Sequence, residues 1–280
     1  MDVVVDNLTQ IFGRHGGRLA GRLGRRTSHE VVALDGVSHR FGSRRFTCLL
    51  GPSGCGKSTL IQIVGGIETA TSGTVRIEDR AAPGEIHPVG SQSVMMWQGL
   101  NLFPWRTVVD NVVFGLEMQG IARLERMERA RAMIASVGLT GFEQHRPDQL
   151  SGGMRQRVAL ARALIMDRAI LLMDEPFAAL DAQTKIVMQE ELMRIFDATK
   201  KTVLFVTHAI DEAILLADEI VVMTARPGRI KEVIAVDLPR PRSFDIVNSP
   251  EFGRLFDRTF HLIKEEVMKA MREQAVVAGA

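Results

Sequence analysis

Residues 51–58, Gly51-Pro52-Ser53-Gly54-Cys55-Gly56-Lys57-Ser58, carry the most specific chemistry in the chain. They follow the pattern G-x-x-x-x-G-K-S/T, in which a tight Gly-rich loop turns backbone N–H groups onto phosphate oxygens. The pattern needs a strand before it and a helix after it. Phe46-Thr47-Cys48-Leu49-Leu50 is an apolar run that reads as a buried strand, and Thr59-Leu60-Ile61-Gln62-Ile63-Val64 reads as a helix. The helix N-terminus adds positive partial charge at the same point. In that setting Lys57 can reach the β- and γ-phosphates of a nucleotide, and the Ser58 hydroxyl is placed to bind Mg²⁺. A Gly-rich turn without a ligand is the competing reading, and the flanking strand and helix weigh against it.

A carboxylate pair supplies the second half of that chemistry. Ile170-Leu171-Leu172-Met173 is a continuous apolar run, the mark of a strand covered on both faces, and it ends in Asp174-Glu175-Pro176. Asp174 suits a carboxylate that orders a Mg²⁺ shell. Glu175, expected on the opposite side because neighbouring strand residues alternate, suits a general base on a water attacking the γ-phosphate. A third stretch, Leu150-Ser151-Gly152-Gly153-Met154-Arg155-Gln156, leads into a helix expected over 158–166. Ser-Gly-Gly at a helix start serves equally as an anion site or as an ordinary N-cap with a flexible lead-in.

These residues need a scaffold that brings strand ends together. A first strand is expected over 2–12, and two antiparallel strands over 31–50 joined around Phe41-Gly42-Ser43. Further strands are expected at 73–77 and 94–96. From 107 to about 168 the pattern is mostly helical, broken at Gly120, Gly138–Gly141 and Pro147. Beyond residue 170 strands and helices alternate: helix over about 182–199, strand 202–206, helix 212–217, strand 220–223, a turn at Arg226-Pro227-Gly228-Arg229, and a final helix over about 249–274. Alternation of this kind predicts a mainly parallel sheet.

The chain has 280 residues, 46% of them hydrophobic, and a net charge of +2, so it can bury a sizeable core and lacks a nucleic-acid signature. Cys48 and Cys55 fall in a buried strand and in the phosphate loop, so no disulfide is expected and a reducing, cytoplasmic setting fits. The N-terminus is acidic and does not read as a signal peptide, and no apolar run approaches the ~20 residues of a membrane-spanning helix. The Gly- and Arg-rich stretch 13–26, with Arg14, Arg18, Arg22, Arg25 and Arg26, reads as a solvated insertion that hydrolysis does not need. Contact with anionic lipid or RNA is its functional alternative.

Taken together, these stretches resemble the ATP-binding subunit of an ABC transporter. Residues 150–157 resemble that family's signature motif, 170–175 its Walker B strand, Gln98 its Q-loop glutamine, Ala179-Leu180-Asp181 its D-loop, and Thr207-His208 with Asp211-Glu212-Ala213 its H-loop switch. Leu102-Phe103-Pro104-Trp105-Arg106-Thr107-Val108, Arg226 to Ile230, Leu238-Pro239-Arg240-Pro241-Arg242 and Ser249-Pro250-Glu251-Phe252 are similar to the nitrate, sulfonate and taurine importer group. The chain departs from the family pattern in the basic stretch 13–26, in Arg44-Arg45 where Gly-Glu is common, and in having no tyrosine for adenine stacking.

The resemblance implies an α/β fold: a RecA-like P-loop NTPase core with a mainly parallel sheet, an antiparallel β subdomain and an inserted α-helical subdomain. The whole of 1–280 is then one ATPase domain, with the helical subdomain at about 99–168 and a C-terminal helical extension at about 243–280. It implies two copies, or this chain and a homologous subunit, closing head to tail over two ATP molecules. Gly51, Pro52, Ser53, Gly54, Cys55, Gly56, Lys57, Ser58 and Thr59 of one copy then hold the phosphates, while Ser151, Gly152 and Gly153 of the other cap the γ-phosphate, with Asp181 nearby. Gln98 ligates Mg²⁺ beside Ser58 and Asp174. His208 touches the γ-phosphate and holds the water that Glu175 activates, so Glu175, His208, Gln98 and Lys57 form the catalytic set. The adenine platform is expected to be Phe12, with Phe41 as its competitor. The implied partners are integral-membrane permease subunits at the cytoplasmic face of a bacterial inner membrane and, indirectly, a substrate-binding protein; no nucleic-acid partner is expected. A soluble ABC ATPase acting on nucleic acid or the ribosome, a different importer or lipid-trafficking motor, and a small-molecule kinase are the rival readings.

Overall fold

The computed structural model describes residues 1–13, 30–82 and 84–278; the basic stretch, apart from Gly13, lies outside them. Among the described residues, ten strands form two sheets. The first is antiparallel, in the order β2 (Val31–Phe41), β1 (Asp2–Phe12), β4 (Ser72–Glu78), β5 (Ile86–His87). The second has the order β10 (Ile230–Ala235), β9 (Glu219–Met223), β3 (Phe46–Leu50), β8 (Thr202–Thr207), β7 (Ile170–Asp174), β6 (Ser93–Met96), and is parallel except for the edge strand β10.

The second sheet is a partition between two cores. On β3, Phe46, Cys48 and Leu50 face one core and Leu49 the other. Leu171 and Met173 alternate in the same way with Ile170 and Leu172 on β7, and Val203 and Phe205 with Leu204 and Val206 on β8. A strand covered on both faces has no polar side to alternate with, which is why these segments read as unbroken apolar runs. One core is closed by α1 (Lys57–Val64) and by the antiparallel sheet through Val3, Val5, Leu8, Leu34 and Phe41. The other receives α2 (Val108–Met118), α3 (Arg123–Ser136), α4 (Gly152–Leu164), α5 (Ala182–Thr199), α6 (Ile210–Leu216) and the apolar side of α7 (Pro250–Ala278).

One expectation fails here. β2 and β3 do not form a hairpin: β2 pairs with β1 in the first sheet, while β3 lies between β8 and β9 in the second. All five residues of β3 are buried, whereas β2 mixes buried and exposed positions. A strand buried on both faces is stable only inside a covered sheet, so residues 42–45 carry the chain from one sheet to the other. Three smaller differences concern ends and short elements. The signature helix starts at Gly152 rather than 158, the helix expected at 212–217 occupies 210–216, and the sequence pattern missed β5 and β10.

Candidate functional site

Parallel register places the chemically active residues at the same level. In the ladder, Leu50 of β3 pairs with Thr207 of β8, Asp174 of β7 with Val206 of β8, and Met96 of β6 with Met173 of β7. The residues that follow these ends are the phosphate loop, His208, Glu175 and Gln98. Four adjacent strands therefore deliver them to one edge of the sheet, the carboxyl edge where open α/β sheets hold their ligands.

The phosphate loop runs from β3 into α1 and needs glycine at Gly56. Its φ is +95°, and a Cβ there would lie 2.6 Å from Leu34 Cδ2 and 2.8 Å from the Ala33 carbonyl. Lys57 is 6% exposed and curls back over the loop, donating to the carbonyls of Gly51 (2.8 Å) and Pro52 (2.9 Å). Cys55 is buried beneath it, its Sγ 3.6 Å from the ammonium, and burial pushes the thiol pKa up. Ser58 donates from its hydroxyl to Asp174 Oδ1 at 2.9 Å. Burial raises the Asp174 pKa and neighbouring Glu175 adds to the rise, while the Ser58 hydrogen bond and the Lys57 charge pull the other way.

Glu175 lies just past the strand, with its backbone turned into the left-handed region at φ +42° and its N–H bonded to the Val206 carbonyl at 3.0 Å. That turn, more than strand alternation, separates its carboxylate from that of Asp174. Glu175 Oε2 accepts from Gln98 Nε2 at 3.4 Å and faces His208 Nδ1 at 3.3 Å. The residue before His208 is anchored: the Thr207 hydroxyl donates to Glu212, which also accepts from Gln189 Nε2 at 2.9 Å and pairs with Lys185 at 3.4 Å. The resemblance placed Asp211-Glu212-Ala213 beside the H-loop but gave Glu212 no role of its own; its side chain anchors Thr207, and its signal was an acid on the apolar face of a short helix.

A cavity of about 380 Å³ opens over this edge, lined by Phe12, Val31, Ala33, residues 53–59, Gln98, Glu175 and Arg226. Phe12 at the end of β1 is 40% exposed, whereas Phe41 is fully buried in the core between the two sheets. Only Phe12 therefore has a ring face available to the cavity. Ser58 and Asp174 offer a hydroxyl and a carboxylate side by side. That oxygen-only donor pair suits Mg²⁺, which takes few protein ligands and completes its shell with phosphate and water.

Residues 34–178 match the family model described as ABC transporter. The chain is 46% identical over 268 residues to an uncharacterised ABC transporter ATP-binding protein of Methanocaldococcus jannaschii, a match covering 96% of this chain and 93% of that one. The chain belongs to the ABC transporter ATP-binding family. Its importer-group resemblance is matched as well. It is 40% identical to the nitrate import ATP-binding protein of Synechocystis (84% of this chain, 89% of that one) and 47% identical to the taurine import ATP-binding protein of Burkholderia pseudomallei (75% and 79%). Among solved structures, a dimeric ATP-binding cassette bound to ADP and Pi superposes with a TM-score of 0.66 at 27% identity, covering 85% of this chain and all of that one. The fold is that of an ABC ATPase, and the chain is an ATP-binding, ATP-hydrolysing subunit.

In this ABC ATPase the signature residues stand apart from the phosphate loop. Ser151 caps α4 by accepting from the Met154 N–H at 3.3 Å, and Asp181 caps α5 by accepting from the Thr184 N–H at 3.0 Å. That hydrogen bond lowers the Asp181 pKa. A Cβ on Gly153 would fall 2.6 Å from Thr184 Cγ2, so the starts of α4 and α5 lean on each other. None of Ser151, Gly152, Gly153 or Asp181 lines the cavity within one chain. The side chain of Gln98 bonds Glu175, not Ser58 or Asp174, among the described residues.

Proposed function

We propose that this ATPase drives a multi-subunit importer for a small anion such as nitrate, a sulfonate or taurine. The observation that carries the catalytic part is the convergence of Lys57, Ser58, Asp174, Glu175, Gln98 and His208 at the ends of adjacent strands. The nitrate and taurine import relatives support the importer part. The unit is one ATPase domain, with a helical insert at about 99–168 and a helical extension at about 243–280.

The phosphate loop N–H groups hold the β- and γ-phosphates, and Lys57 leaves the Gly51 and Pro52 carbonyls for the phosphate oxygens. The Phe12 ring stacks on the adenine. Ser58 and Asp174 would hold Mg²⁺, with Gln98 moving in from Glu175; the ion would supply neutralisation of phosphate charge. Glu175 takes the proton of the attacking water, and His208, 3.3 Å from its carboxylate, holds that water and the γ-phosphate in line. Two chains close head to tail, Ser151, Gly152 and Gly153 of one capping the ATP of the other. The dimeric architecture of the solved ABC cassette supports this arrangement. Among the described residues no helix is long and apolar enough to cross a membrane, so permease subunits would form the channel and this chain would dock on their cytoplasmic side. A separate binding protein would deliver the anion.

Glu175→Gln tests the catalytic core. ATP affinity should persist while hydrolysis falls about 10²–10⁴-fold, the span that general-base catalysis supplies. Near-normal turnover would remove Glu175 from its role. Reconstitution in liposomes with the permease that co-purifies, followed by uptake of labelled nitrate, taurine and an alkanesulfonate, tests the substrate; uptake of none of the three would overturn the assignment.

A further inference from the structure

We propose that Arg226 is a nucleotide-binding residue, a second cation that the 224–229 turn presents to the polyphosphate of ATP at the phosphate loop. The proposal rests on the reading of the cavity as the ATP site.

The turn joins β9 to β10 and is closed on itself. The Thr224 N–H donates to the Arg229 carbonyl at 2.9 Å, the Thr224 hydroxyl donates to the Pro227 carbonyl at 2.8 Å, and it accepts from the Arg229 N–H at 2.9 Å. It is fixed from outside by α7, where Glu266, 7% exposed, accepts from the Ala225 N–H at 2.8 Å and pairs with Lys231 at 2.9 Å. It is seated against the site on its other side. The Gly228 N–H donates to the Ala33 carbonyl at 2.9 Å, and its own carbonyl accepts from the Asp35 N–H at 3.0 Å. A Cβ at Gly228 would lie 2.0 Å from the Cys55 carbonyl, so only glycine lets the turn pack this closely on the phosphate loop.

This seating places the Arg226 guanidinium over Gly54. Its Nε donates to the Gly54 carbonyl at 3.3 Å, its Nη2 lies 3.1 Å from where a Gly54 Cβ would be, and the residue lines the cavity together with Phe12, Lys57 and Glu175. The neighbouring cations are committed elsewhere: Arg229 to Asp35, Lys231 to Glu265 and Glu266. Arg226 has no carboxylate partner among the described residues. One backbone carbonyl uses one of the five N–H donors that a guanidinium carries. An arginine with a fixed backbone and unspent donors at the wall of a phosphate site has the chemistry of a phosphate ligand, in a forked geometry that lysine does not reproduce.

The test compares full-length wild type with Arg226→Ala, Arg226→Lys and, as a control that removes an equal charge from the same turn, Arg229→Ala. Fluorescent ATP and ADP analogues are titrated at low and high salt, and melting is followed with and without nucleotide. Arg226→Ala should weaken ATP binding about tenfold, as expected for loss of a charge-assisted hydrogen bond. Its nucleotide-induced melting shift should shrink while its nucleotide-free melting temperature holds. Arg226→Lys should recover part of the affinity, and Arg229→Ala should bind like wild type. An affinity for Arg226→Ala within twofold of wild type, or a loss matched by lower nucleotide-free melting, would overturn the inference and leave Arg226 as a brace for the loop. A wild-type chain that binds neither ATP nor ADP would instead overturn the nucleotide site itself.

Discussion

Two phenylalanines look alike in sequence, Ile11-Phe12-Gly13 and Arg40-Phe41-Gly42, yet they lie in different environments. Strand parity decides between them: Phe41 falls on the inner face of β2 with Val37, and both are buried, while Phe12 ends β1 at the cavity. Phe12→Ala should weaken ATP and GTP binding alike by about tenfold, because base–aromatic stacking is worth about 1–3 kcal/mol and a ring face does not read base edges. Phe41→Ala should instead cost about 3–5 kcal/mol of fold stability. Nucleotide titration and urea unfolding of the two variants separate these effects. Asp174 yields a second residue-level expectation, with opposite signs for stability and activity. Its pKa is raised in the folded chain, so ionising it costs more there than in the unfolded chain. That penalty is present above the folded pKa and vanishes below the unfolded value of 3.8. Asp174→Asn should therefore raise the melting temperature of the nucleotide-free protein at neutral pH, with the gain shrinking as pH falls toward about 4, while hydrolysis drops at least about tenfold. A lower melting temperature in the variant would contradict the burial argument.

Elements were legible where one physical constraint dominated. The phosphate loop, β7, β8 and α5 were readable because apolar runs and glycines admit few alternatives there. The error over residues 31–50 arose from treating a short polar turn as a hairpin when the run after it, buried on both faces, already required a covered sheet. The segment 238–242 was legible only as a likeness to relatives. The structure shows what Arg242 does in it. Arg242 is 7% exposed and donates to the carbonyls of Ile214, Leu215 and Ala217 at the end of α6 and of Val236 and Leu238 after β10. Burial pushes its pKa down to about 10, which leaves it charged at neutral pH. Arg242→Ala would strand those acceptors and should cost at least about 2 kcal/mol, read as a lower urea midpoint. Arg242→Lys should recover little, since a single ammonium with three donors cannot replace a planar fork.

At the scale of the molecule, one chain does not bring every motif to one place. The sequence placed the signature residues Ser151, Gly152 and Gly153 at a helix start but could not say in which site they act, because a local anion site and a plain N-cap look the same. In the fold they cap α4 away from the cavity, so a role at the γ-phosphate requires a second chain. Mixed dimers test this. Suppose one chain carries Lys57→Ala and its partner carries Ser151→Arg. Head-to-tail pairing then puts both lesions in one composite site and leaves the other intact. Suppose instead that both substitutions sit in the same chain, paired with a wild-type partner. One site then lacks its lysine and the other has its signature blocked, so neither is whole. Tagged mixed dimers assembled both ways should differ clearly in ATPase rate, the first arrangement being the faster. Equal rates would remove the support for head-to-tail pairing, and a faster second arrangement would mean that Ser151 serves its own chain's phosphate loop, which would demand a rearrangement bringing the start of α4 to that cavity.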